Sequence, residues 1–98
     1  MGKFLVNGGT LKVDGDLEWY FNENLKDACK KLLESGEENL VVDFSSIRHI
    51  SSDYMGLVAE TSVQARKAGK TMRLVVPPRI AKVFRDTGFS EFVTIEVV

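Results

Sequence analysis

The chain has 98 residues, 44% apolar and 28% charged, which gives one hydrophobic core, too little length for two, and no apolar run near the ~20 residues that span a bilayer. A net charge of −1, with lysines and arginines scattered, leaves no basic footprint for nucleic acid or an anionic membrane. One cysteine and one histidine exclude an internal disulfide and are too few for a Cys/His metal site, so neither metal nor cofactor is expected.

Phe4-Leu5-Val6 and Thr10-Leu11-Lys12-Val13 flank Asn7-Gly8-Gly9 and predict a β-hairpin, because glycine and asparagine accept the positive φ of tight turns. Met1-Gly2-Lys3-Phe4 lacks the apolar stretch of a signal peptide, and a cytoplasmic protein is expected. Asp14-Gly15-Asp16 ends the second strand. Trp19-Tyr20-Phe21 follows: three consecutive aromatics cannot all face one core, so either one is exposed for protein contact or one lies over the next helix start.

A helix is predicted from near Asn22, with Leu25, Ala28, Cys29, Leu32 and Leu33 on one apolar face and a stop at Ser35-Gly36. Cys29 reads as a small core residue. Leu40-Val41-Val42-Asp43-Phe44 is nearly continuous apolar, the pattern of a central strand covered on both faces. Ile50 to Leu57 opens a second helix, its apolar side assigned to Leu57, Val58, Thr61, Val63 and Ala65, with a stop at Gly69. Met72 to Val76 is a strand. Pro77-Pro78 starts a short helix with Ile80, Val83 and Phe84 buried and Gly88 at its end, and Phe92 to Val98 is the last strand.

The order β-β-α-β-α-β-α-β predicts a single α/β domain over residues 1–98. Its sheet is mixed but mostly parallel, of about five strands, with an N-terminal antiparallel hairpin and three to four helices. Sites in such sheets lie outside the carboxyl ends of the strands, here residues 14–21, 45–54 and 77–79. Ser51, Ser52 and Asp53 fall there, at a helix start whose free N–H groups favour oxygen ligands and negative charge. Capping accounts for one of the three, and a phosphate on a serine would add about −1.5 to −2 charges to the surface. Ser51 or Ser52 with His49 and Asp14, Asp16, Glu18 or Asp53 supplies the residue types of a hydrolytic triad. But His49 is two residues from Ser51 on the same connection, and no G-x-S-x-G elbow, P-loop or G-x-G-x-x-G is present. No enzymatic activity is expected.

The element order, Val42-Asp43-Phe44-Ser45 and the small polar segment opening the second helix together resemble the STAS domain of bacterial anti-sigma factor antagonists, over essentially the whole chain. Gly15-Asp16-Leu17-Glu18, Gly69-Lys70 before Met72-Arg73-Leu74-Val75, and Thr87-Gly88-Phe89 match in place and kind. The resemblance implies a cytoplasmic anti-anti-sigma factor in transcription regulation, a phosphoprotein that works by partner switching. Its protein partner would be an anti-sigma factor that is also a serine kinase, or another ATPase, and phosphorylation at the start of the second helix would weaken binding. Aligned from Asp43 without gaps, the usual leading Asp falls on Ser51, the first hydroxyl on Ser52, the acceptor on Asp53 and the glycine on Tyr54. Asp53 is then a permanent partial mimic of the phosphorylated state or simply a cap; a slip of one residue makes Ser52 the acceptor. Asp16, Glu18, Trp19, Tyr20, Tyr54, Met55 and Gly56 are the expected partner-binding residues, Tyr54 adding bulk where a partner docks. The alternative is a structural role like that of the small STAS subunit of lipid-transport ABC complexes. Oligomeric state is not legible.

Overall fold

The computed structural model describes residues 3–14, 23–91 and 93–98. Strand β1 (Lys3–Asn7) and strand β2 (Thr10–Asp14) form the hairpin, followed by helix α1 (Glu23–Leu33), strand β3 (Asn39–Asp43), helix α2 (Ser52–Lys67), strand β4 (Thr71–Val76), helix α3 (Pro78–Asp86), a 3-10 turn at Phe89–Glu91 and strand β5 (Thr94–Val97). The spatial order is β1-β2-β3-β4-β5; β1 runs antiparallel to β2 and every later pairing is parallel. This is the expected α/β architecture.

The hairpin turns on Gly8, whose φ is +60°, while Gly9 is not in the positive region, as in a type II′ turn. Gly9 is held for a second reason. A Cβ there would lie 2.8 Å from the Asn39 carbonyl oxygen, and the Gly9 carbonyl accepts from Val41 N–H at 2.8 Å, which locks β2 onto β3.

Helix α1 buries Leu25, Ala28, Cys29 and Leu32, as its spacing predicts. Helix α2 ends in a Schellman arrangement: Gly69 (φ +74°) donates to Arg66 O at 3.0 Å and Lys70 donates to Ala65 O at 2.8 Å. Its buried face is Tyr54, Met55, Val58, Thr61, Ser62 and Ala65. Val63, expected inside, is 40% exposed, because two residues turn it about 200° away from Thr61. Likewise Ile80, Ala81 and Phe84 form the buried side of α3, whereas Val83 is 37% exposed. The last strand is shorter than expected: residues 89–91 coil into the 3-10 turn and β5 begins at Thr94.

One expectation about the sheet is corrected. Leu11, Val13, Leu40, Val42, Met72, Leu74 and Val76 are buried, but their neighbours Thr10, Lys12 and Arg73 are exposed and Val41, Asp43 and Val75 are half-buried. The domain therefore has two layers, with one sheet face open, rather than β3 being covered on both sides. The strand order explains this. Each parallel strand is laid beside the last in the same direction, and right-handed crossovers then stack all three helices on one face. On the open face Arg73 and Glu96 approach at 3.4 Å, both about half exposed, so this pair adds little stability. Under the helices, Phe84 stacks on Phe44 with centroids 6.3 Å apart and meets the edge of Phe89 at 4.8 Å, tying α3 and the 3-10 turn to the end of β3.

Candidate functional site

The carboxyl ends of β2, β3 and β4 share one rim of the sheet, and the connection from β3 to α2 crosses it. Phe44 leaves β3 fully buried, donating to Val75 O at 2.7 Å. Asp43 Oδ1 accepts from Ser45 N–H at 2.9 Å, an Asx turn that starts the reversal, and Ile47 donates to Phe44 O at 3.1 Å. Ile47 is buried as the anchor of the loop, while Ser45, Ser46, Arg48 and His49 stay exposed.

Ser51 is the N-cap of α2. Its backbone is extended (φ −82°, ψ 162°), its Oγ accepts from Tyr54 N–H at 3.4 Å and its carbonyl accepts from Met55 N–H at 3.0 Å. This settles which of the three polar residues caps the helix. Ser52 and Asp53 follow in the first turn, both exposed, and neither side chain is bonded to another described residue. Asp53 lies at the positive end of the helix dipole, worth about 0.3–1 kcal/mol.

Tyr54 points the other way. It is 2% exposed and one of the largest fully buried side chains, so it adds bulk to the core and none to the rim; Met55 is also buried. The reason is the helical period: Tyr54, Val58, Thr61 and Ala65 recur on the core face, one turn apart. Of the seven expected partner-binding residues, Gly56 alone is described and exposed; Asp16, Glu18, Trp19 and Tyr20 lie outside the described residues.

Gly56 is informative. A Cβ there would meet nothing within 4 Å, and its φ is not in the positive region, so neither packing nor backbone conformation requires glycine. In a helix interior glycine costs about 0.5–1 kcal/mol relative to alanine. The solvent side of α2 therefore carries Ser52, Asp53, Gly56, Glu60 and Val63 as a stripe that is flattest near its start. Gly56 falls at the site the sequence predicts, whereas Val63, expected in the core, joins it on the solvent side.

The hydrolytic constellation is not assembled among the described residues: His49 is exposed and bonds to none of the serines, and Ser51 Oγ is engaged in capping. Cys29, against α2, is buried; desolvation raises its pKa above the ordinary 9.0 and a hydrogen bond with Thr61 opposes this. A protonated buried thiol is a poor nucleophile. Among the described residues no group of His, Cys, Asp and Glu is arranged to hold a metal ion, and no helix is long and apolar enough to cross a membrane.

A family model described as Mlab, STAS domain matches residues 4–95. The chain belongs to the STAS domain family. Solved structures agree in fold. An anti-sigma factor antagonist from Mycobacterium paratuberculosis superposes with a TM-score of 0.81 at 17% identity, covering 100% of this chain and 86% of that one. The Bacillus cell fate determinant SpoIIAA in its phosphorylated form gives a TM-score of 0.68 at 18% identity, covering 99% and 92%. The complex of diguanylate cyclase SiaD with its activator SiaC from Pseudomonas aeruginosa gives 0.69 at 13% identity, covering 99% and 90%. No curated protein matches the chain significantly in sequence.

Proposed function

We propose that this STAS domain is a non-enzymatic regulatory module that binds a protein partner through the rim around the start of α2, in the manner of an anti-sigma factor antagonist. The observation that carries this is the first part of α2, where exposed Ser52 and Asp53 precede a glycine that no structural demand explains. A flat helix face lets a partner backbone approach closely, and Val63 extends it with exposed apolar surface. The similarity in fold to an anti-sigma factor antagonist and to the SiaD–SiaC complex supports a protein partner rather than a small substrate.

Asp53, at the position the family uses for its acceptor, gives this site a standing negative charge. It carries one charge where phosphate carries up to two, and it cannot be modified by a serine kinase. The chain then binds constitutively weakened, or is switched at neighbouring Ser52. Incubation with an anti-sigma serine kinase and ATP, followed by phosphate mapping by mass spectrometry, tests this. Phosphate on Ser52, or on residue 53 of Asp53→Ser, supports a kinase partner; no phosphate on either protein argues that the partner class has changed.

The carboxylate at position 53, which a serine kinase cannot modify, favours a second reading, an accessory subunit of an ABC-type lipid transport complex, in which the same rim packs on an ATPase without phosphorylation. A pull-down that returns an ABC ATPase rather than a histidine-kinase-like ATPase decides between the two.

A further inference from the structure

We propose that the chain forms a two-fold homodimer by antiparallel pairing of β1 with β1 of a second copy. Strand β1 is one end of the sheet order, and among the described residues nothing pairs with its outer edge. The direction of its backbone groups follows from the ladder. Gly9 O faces β3, where it accepts from Val41 N–H, so the groups of Thr10, Lys12 and Asp14 face β1. Their partners across the hairpin are Asn7, Leu5 and Lys3. The N–H and C=O groups of Phe4 and Val6 therefore point to the open edge.

These groups are self-complementary. Centred on Leu5, two antiparallel copies place Phe4 opposite Val6 and Val6 opposite Phe4, so both pairs exchange N–H···O bonds. Phe4 and Val6 are half-buried against the core, and the two apolar rims would join. On the open face Leu5, 64% exposed, meets its own copy. Lys3 faces Asn7, so no like charges are opposed. Edge strands that stay single are commonly blunted by lysine, proline, a bulge or inward charge; the one charge of β1 is Lys3 at its first residue, and Phe4-Leu5-Val6 carries none of these. The opposite edge, β5, carries Glu96 within only four residues.

Sedimentation of the full chain from micromolar to millimolar concentration tests the pairing. The expected result is a concentration-dependent rise to twice the monomer mass. Leu5→Lys sets like charges face to face, and Val6→Pro removes only an outward N–H; both should remain monomeric with an unchanged circular dichroism spectrum. Should Val6→Pro fail to fold, Leu5→Lys alone carries that arm. Oxidation of Leu5→Cys should trap a disulfide dimer, because a non-hydrogen-bonded antiparallel pair brings Cα atoms within bonding range. Asn7→Cys should not cross-link, since its two copies sit about 13 Å apart along the strands. Buried Cys29 adds no background. A wild-type monomer throughout with no Leu5→Cys cross-link overturns the proposal. So does a dimer unchanged by Leu5→Lys, or equally fast cross-linking of Asn7→Cys.

Discussion

Replacing Gly56 by alanine should stabilise the protein, and this tests the account of the α2 surface. The added methyl enters open space, with no heavy atom within 4 Å of the new Cβ. Position 56 lies past the first turn of a 16-residue helix, so the backbone-entropy penalty of glycine applies and its removal is worth about 0.5–1 kcal/mol. For a domain of this size that is a rise in Tm of roughly 2–8 °C. Urea denaturation should show a higher midpoint with an unchanged slope, since the surface exposed on unfolding hardly changes. The matched control is Gly9→Ala. There a Cβ would sit 2.8 Å from a backbone oxygen and 3.0 Å from Glu37 Cβ, at the point where β2 locks onto β3. Overpacking of that kind should lower stability by about 1–3 kcal/mol. One chemical change thus has opposite signs at two glycines. A midpoint for Gly56→Ala at or below wild type would refute the claim that position 56 is structurally unconstrained. A glycine at position 56 would then need no partner to explain it.

Three further outcomes are expected. Ser51→Ala removes the oxygen that accepts from Tyr54 N–H and should cost about 1 kcal/mol in denaturant unfolding, whereas Ser52→Ala should be near neutral. Phe84→Ala empties the ring position between Phe44 and Phe89 and should cost about 3–5 kcal/mol, read by the same assay. Burial raises the Cys29 pKa, so above pH 9.0 the unfolded chain loses this proton before the folded one does; stability should fall there more steeply for wild type than for Cys29→Ala, and the native thiol should resist alkylation.

The element order and the strand directions were legible because each helix and strand carries its own apolar period and its own stop. Gly8 and Gly69 sit where the chain takes positive φ, and of the five residues its spacing selects α1 buries four, leaving Leu33 half-buried. Hydrophobicity alone puts Val63 and Val83 in the core, although each stands off the stripe that its helix buries. Alignment to a family pattern sets Tyr54 at a glycine and so on the surface, yet its four-residue spacing to Val58 sets it inward. A continuous apolar strand, Leu40–Val42, suggested two covered faces; strand order, which puts all the helices on one side, is a global property that no local window carries. The cap was ambiguous for a similar reason, since Ser51, Ser52 and Asp53 can each cap a helix and only the observed φ and ψ choose Ser51.

The two surfaces proposed for this protein do not compete. Helix α2 packs on β4, and β1 is three strands away from β4, about 14 Å in the hydrogen-bonding direction. Pairing through β1 extends the sheet sideways and leaves both copies of α2 open, so a dimer would present two partner sites on one rigid ten-stranded sheet. A partner that is itself dimeric would then engage the second site at high effective concentration, and its apparent affinity would exceed that of one site without any new contact. The monomeric Leu5→Lys variant separates the terms. It should keep the affinity of a single site, measured against a monomeric partner, and lose only the gain from the second. If Leu5→Lys weakens binding to a monomeric partner as well, the β1 edge is itself part of the docking surface, and the separation of the two functions along the sheet is wrong.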